Sequence, residues 1–281
     1  MHEPVNASAP TPRGVLGILA LEKSREIIRQ MFAPVSQALI DDADIAPGHS
    51  VLDVGTGPGE PALRIAERVG SNGEVVGIDP AAGMIEASRR EAERLSLDNA
   101  RFETAAAERL PFPDDRFDAV VSRFGVMFFP APLAGVREML RVLRPGKMMA
   151  FAVWHSRESN PFHDVLARIV DPVLPPTELP PDAPDAFRFA ATGKLRAIVA
   201  EAGAASPLER LFRFSIDVPL SPEDFWNLRM EMSDKLRERL ATLQPDTCED
   251  LKRRSIAAFQ EYASAHGLSF PAEVRLVSAR K

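Results

Sequence analysis

The segment Val51-Leu52-Asp53-Val54-Gly55-Thr56-Gly57-Pro58-Gly59 constrains this chain more than any other. Pro47-Gly48 punctuates the chain just before it, Val51 to Val54 reads as a short buried strand, and Pro61 to Val69 reads as a helix stopped by Gly70. Between them, glycines at three alternate positions let the backbone turn tightly and approach a ligand where any side chain would collide. A glycine turn at the carboxyl end of a parallel strand lines the crevice where ligands of such sheets bind. The helix behind it offers unpaired N–H groups and a positive dipole end.

The second strand, Glu74 to Ile78, ends on Asp79, whose carboxylate can accept both hydrogen bonds of a ribose diol; the ligand is therefore expected to be a nucleoside. Without Gly-Lys-Ser/Thr, a phosphate loop is not expected. For a dinucleotide fingerprint, Gly59 falls one residue early. Asp53, two residues before the first glycine, would repel a pyrophosphate but suits an ammonium group. S-adenosylmethionine has that ammonium, a sulfonium and a ribose diol.

Strands and helices alternate through the following stretch. Ala81 to Leu95 is expected as a helix, Arg101 to Thr104 and Phe117 to Ser122 as strands, Leu133 to Leu143 as a helix, and Met148 to Trp154 as a fifth strand. The expected fold is α/β, a doubly wound, Rossmann-like, seven-stranded and mostly parallel sheet covered on both faces. Ile18 to Ile40 is helical in spacing, split at Pro34. Pro172 to Pro184 reads as an extended loop, Thr192 to Ala202 as a helix and Leu208 to Val218 as a strand. Two helices are expected from the caps Ser221 and Thr247, the second ending at Gly267, before a last strand from Pro271 to Ala279. The expected organisation is a disordered tail over 1–14, a helical lid over 15–44, a core over 45–220 and 268–281, and a helical insertion over 221–267 acting as a substrate cap.

Composition narrows the partners. Interleaved charges summing to −6 over 281 residues give no footprint for nucleic acid, so a small-molecule substrate is expected. No apolar run is long enough to span a bilayer. The one cysteine, Cys248, leaves no disulfide framework or cysteine-based zinc site; the balance suits a reducing cytoplasm, and no metal is expected. A monomer or homodimer is expected.

Val51 to Gly59 resembles the first motif of class I S-adenosylmethionine-dependent methyltransferases. Gly77-Ile78-Asp79-Pro80 resembles the second, with Met84 where that family packs adenine. Ala107-Glu108-Arg109-Leu110-Pro111-Phe112-Pro113-Asp114-Asp115-Arg116-Phe117-Asp118 resembles a stretch of ubiquinone/menaquinone-biosynthesis-like methyltransferases, and Leu143-Arg144-Pro145-Gly146 matches the turn before their fifth strand. The resemblance implies a cofactor site of Asp53, Gly55, Thr56, Gly57, Gly59, Asp79, Pro80, Met84, Ala106, Ala107, Glu108, Ser122 and Arg123. Relatives carry Gly-Asp where this chain has Ala105-Ala106, so one adenine hydrogen bond is missing, worth about 0.5–1.5 kcal/mol.

The implied reaction is in-line transfer of the sulfonium methyl to an O, N, C or S acceptor, releasing S-adenosylhomocysteine. Phe124, Met127, Trp154 and Trp226 are expected at the acceptor, which leans towards aromatic or apolar. His155 is the candidate base, and Arg123 either binds an acidic substrate or pairs with a nearby acid. His163 is expected at the surface near a helix start. A non-catalytic protein that binds the cofactor or its product, a nicotinamide-dependent oxidoreductase and a macromolecular acceptor stay as alternatives.

Overall fold

A computed structural model describes residues 24–176, 180 and 182–281. The tail over 1–14 and the start of the expected lid lie outside the described residues. One sheet organises the rest, with strands β1 (Ser50–Val54), β2 (Glu74–Asp79), β3 (Ala100–Thr104), β4 (Phe117–Arg123), β5 (Leu143–Trp154), β6 (Ala205–Val218), β7 (Ala263–Ser264) and β8 (Gly267–Arg280). Their order is β3-β2-β1-β4-β5-β8-β6, with the two-residue β7 paired to β8 off that path. β3, β2, β1, β4 and β5 pair in parallel, and β8 runs antiparallel to both β5 and β6. The seven-stranded, mostly parallel expectation holds.

The strand order reverses beside β1, placing the glycine turn at the switch point where open sheets of this kind bind ligands. β1 is buried along its whole length, as a central strand covered on both faces must be. In chain order the helices are α1 (Arg25–Met31), α2 (Ala33–Asp42), α3 (Ala62–Val69), α4 (Ala82–Arg94), α5 (Pro132–Val142), α6 (Pro161–Val170), α7 (Lys194–Glu201), α8 (Pro222–Met232), α9 (Asp234–Leu240) and α10 (Pro245–Phe259). The break expected at Pro34 falls at Phe32, which closes α1 and opens α2. Among the described residues no helix is long and apolar enough to cross a membrane.

Several boundaries differ from the sequence expectations. β5 starts at Leu143 rather than Met148, because Leu143 pairs with Phe117 before an irregularity, and Gly146 turns the chain with φ 75°. Ser221 caps α8 as expected, its Oγ accepting from Asp224 N at 3.1 Å. Thr247 caps nothing: α10 begins at Pro245, a residue suited to a first helical turn, where its missing N–H costs no bond. That helix stops at Phe259, short of Gly267. Gly267 instead opens β8 at φ 128°, where an added Cβ would lie 2.2 Å from the Val218 carbonyl oxygen. The short helix α9, capped by Ser233 through Leu236 N at 3.2 Å, was not anticipated.

Candidate active site

The glycine turn is built by backbone hydrogen bonds at the end of β1. Gly55 N and Thr56 N both donate to the Ile78 carbonyl, at 2.8 and 2.9 Å, and Leu63 N donates to Gly59 O at 2.8 Å to start α3. Gly55 sits at φ 77°, and a Cβ there would press on Gly125 Cα at 3.0 Å, so the β1 and β4 turns meet glycine to glycine. Gly57, at φ 55°, has nothing within 4 Å of where a Cβ would stand, which leaves its face open to a ligand.

Asp53 is fully buried, and neither of its carboxylate oxygens has a hydrogen-bond partner among the described residues. Burial pushes its pKa up to about 7; Thr56, the Arg123 charge and the Ala62 amide pull the other way without closing a hydrogen bond of ordinary geometry. Thr56 Oγ1 and Glu60 Oε2 are likewise buried without partners. Burial also raises the pKa of Glu60, against the charges of Arg123 and Arg64. A buried acid left unpaired is costly. This cluster of orphaned polar atoms beneath the glycine turn therefore suits a ligand that brings its own cation and donors, as the ammonium of S-adenosylmethionine would.

Asp79 closes β2 with Oδ2 accepting from Gly57 N at 3.1 Å and Oδ1 from Ala81 N at 2.9 Å. A carboxylate at this strand end has the acceptor chemistry that a ribose diol requires. Pro80 is exposed beside it, and Met84 is buried on α4. Ser88 of the same helix donates to Gly57 O at 2.9 Å, tying the loop from the other side. Ala106 is exposed and Ala107 is buried. Glu108 accepts from Ala131 N at 3.1 Å, at the start of α5.

The two β4 residues expected at the cofactor are engaged with protein. Ser122, fully buried, donates to Val54 O at 2.7 Å. Arg123 donates to Ser36 Oγ at 2.7 Å and to Glu60 O at 3.1 Å, while its guanidinium lies over Phe32 at 5.8 Å. Burial lowers its pKa, and Glu60 and Asp53 pull it back up. Arg123 thus joins α2, the glycine turn and β4. From α1, Arg25 reaches the carbonyl oxygens of Pro58 and, at 3.2 Å, Ala87, which seats that helix against the loop.

Of the residues expected at the acceptor, Phe124 and Trp154 are brought together. Their rings stack at 4.5 Å with 5° between planes, and Phe32 meets both edge-on at 5.6 and 5.9 Å. Phe124 holds φ 58°, a left-handed conformation costing about 1–3 kcal/mol for a residue with a side chain. Its N–H donates to Ala152 O at 2.9 Å, so the ring is fixed where β4 ends. Met127 is buried in the core, whereas Phe128 is half exposed. Trp226 is buried on α8 beside Phe225, which packs on Phe259 and Phe270 rather than on the Phe124–Trp154 stack.

Both candidate histidines are partly buried. His155 Nδ1 lies 2.9 Å from Glu273 Oε2, and Glu273 also takes Arg213 at 2.7 Å, an ion-pair cluster between β5, β8 and β6. His163, partly buried in the first turn of α6, packs its ring edge-on to Trp154 at 4.6 Å, with Phe162 at 5.0 Å and Phe187 at 5.4 Å, and its Nε2 is buried without a partner among the described residues. Burial, with Arg229 and Arg157 nearby, takes its pKa well below the usual imidazole value. Asn160 explains the placement. Its fully buried amide donates to Ser156 O at 2.7 Å and Glu273 O at 3.0 Å, and accepts from Glu273 N at 2.9 Å, pinning the start of α6 to β8. Only pairing across more than a hundred residues reveals that role.

Residues 51–146 match a methyltransferase domain family. Aklanonic acid methyltransferase DauC of Streptomyces sp. strain C5 is 37% identical over 122 residues, 43% of this chain and 56% of that protein. The ubiquinone/menaquinone biosynthesis C-methyltransferase UbiE of Shewanella sediminis is 33% identical over 133 residues, 47% and 51% respectively. The chain thus spans about half the length of these curated relatives. The crystal structure of the YcgJ protein of Bacillus subtilis superposes over 88% of this chain and 97% of its own with a TM-score of 0.57 at 21% identity, a likeness of fold. Motif, strand order and these likenesses agree: residues 51–146 are a methyltransferase domain, in a chain with the class I methyltransferase fold.

Proposed function

We propose that the protein transfers the methyl group of S-adenosylmethionine to a small-molecule acceptor. The observation that carries this reading is the buried, unpartnered Asp53 carboxylate beneath an open glycine turn, with Asp79 closing the next strand. Asp53 would hold the ligand's ammonium, Asp79 the ribose diol, and the backbone around Ala106 and Ala107 with Met84 the adenine. When bound, the cofactor supplies a methyl already activated by a sulfonium. An acceptor lone pair bonds to the methyl carbon as the S–CH3 bond breaks, its electron pair staying on sulfur. The chain's work is then to position the acceptor and keep water out.

Arg25 of α1 on the Pro58 carbonyl, and Arg123 bridging α2 to the loop, support a lid that closes over the cofactor. The insertion around α8–α10 supports a cap over the acceptor. The named relatives differ in acceptor, one acting on aklanonic acid and one on carbon in quinone biosynthesis, so the domain alone does not carry the acceptor across.

Isothermal titration with S-adenosylmethionine and S-adenosylhomocysteine tests the cofactor reading. Both ligands should bind, and Asp79→Ala should weaken them by at least about tenfold, two hydrogen bonds to a charged group being lost. A thermal melt checks that the variant keeps its fold, since Asp79 also holds the loop. Well-folded wild type that binds neither ligand would end this reading.

A further inference from the structure

Between α6, the loop leading to α7, and the α8–α9 junction lies a cavity of about 610 Å3, within the range of small-molecule sites. His163, Phe187 and Leu166 give it an apolar and aromatic wall, and its ionic groups are unequal. Each lining carboxylate is already committed. Asp171 is held by Arg157 at 3.2 Å and Arg239 at 3.0 Å, Asp182 pairs with Lys194, and Asp185 caps Phe187 N at 2.8 Å.

Arg229 is the exception among the cations. It is 9% exposed, its Nε is buried without a partner, and it makes no hydrogen bond or ion pair among the described residues. Burial alone lowers its pKa, to about 10, with no nearby carboxylate to restore it. Its one contact of note is with the Phe162 ring, 4.0 Å from the guanidinium carbon. An aromatic face satisfies the flat side of a guanidinium and leaves the in-plane N–H donors unused. Those donors form a fork suited to a carboxylate.

Through His163, one wall of the cavity adjoins the residues expected at the acceptor. His163 lines it and packs on Trp154, which stacks on Phe124, and Gly125 lies directly against Gly55 of the glycine turn. We propose that the methyl acceptor carries a carboxylate on an aromatic or apolar body, and that Arg229 is the counter-ion that selects it from within this cavity. The proposal rests on the methyltransferase reading for its reaction. Its recognition step is tested separately.

The test is isothermal titration of the full chain, with and without saturating S-adenosylhomocysteine, using 2-naphthoate and its neutral amide, 2-naphthamide, as probes. The acid should bind about tenfold tighter than the amide or better. Arg229→Met should erase that preference, and Arg229→Lys should restore part of it. Equal binding of acid and amide, binding of neither, or a preference that survives in Arg229→Met overturns the assignment. Should Arg229→Met fail to fold, a crystal structure of the wild type with 2-naphthoate decides: the carboxylate on Arg229 supports the proposal, and the carboxylate elsewhere overturns it. The S-adenosylhomocysteine isotherm separates the two levels. Its absence ends the methyltransferase reading, while its presence with no acid preference ends only this one.

Discussion

Asp53 and Arg229 are mirror cases. One is an anion and the other a cation; both are buried, and both lack a hydrogen-bonded or ionic partner among the described residues. Asp53 lies in a run of sequence dense with signals, between a strand and a glycine turn. Arg229 lies in a helix whose local sequence signals only its start, capped by Ser221. Neither is explained by packing, since a buried unpaired charge opposes folding. What distinguishes them is how they were placed: Asp53 by a local backbone motif, Arg229 by the docking of α8 against α6.

The comparison can be sharpened by removing each charge and following stability with pH. Asp53 has its pKa raised, so below about pH 4 it is protonated both folded and unfolded and costs nothing. Between about 4 and 7 the folded state keeps a proton that the unfolded chain releases, and stability falls as pH rises; above 7 the penalty is complete. Asp53→Asn should therefore stabilise the ligand-free protein by about 1–2 kcal/mol at pH 8, after the cost of an unpaired amide, and the gain should fade towards pH 4. Arg229, with a pKa near 10, is charged in both states from pH 6 to 9. The gain from Arg229→Met should be of similar size and flat over that range. Chemical denaturation at several pH values checks both. A flat Asp53→Asn profile, or a loss of stability in Arg229→Met, would break the symmetry.

A smaller effect concerns adenine. Ala106 is exposed next to the buried Ala107, so a longer side chain has room. Ala106→Asp should restore the hydrogen bond that the family resemblance implies is missing. It should tighten S-adenosylhomocysteine by about 2- to 10-fold in the same titration. Unchanged affinity would mean the backbone already supplies what relatives obtain from that side chain.

The smallest effect is expected at His155. Its pair with Glu273 is shared with a mostly exposed Arg213, so His155→Ala should cost about 0–1 kcal/mol and leave S-adenosylhomocysteine affinity unchanged. A large loss of turnover in that variant, with unchanged binding and stability, would support it as the base.

These effects trace what the sequence could and could not convey. Gly55, Gly57 and Asp79 were legible because backbone geometry and strand-end placement demand those residue types in that order. The parallel strands were legible from their apolar runs and flanking turns. The inward turn of the His163 ring was not legible because nothing local distinguishes a histidine near a helix start that faces water from one held against aromatic rings; Asn160, bonded to Glu273 on β8, fixes that helix start. Arg229 carried no signal at all, since an arginine on a helix ordinarily faces water. Thr247 misled because Pro245, two residues earlier, already starts the helix.

The central claim is that the Asp53–Gly57–Asp79 cleft holds the methyl donor. A crystal structure of the protein with S-adenosylhomocysteine tests it most directly. The account predicts the ligand's ammonium at Asp53, its ribose diol on Asp79 and its sulfur directed towards the Phe124–Trp154 stack. A ligand lodged elsewhere, or a bound ligand whose amine and ribose meet neither carboxylate, would contradict it.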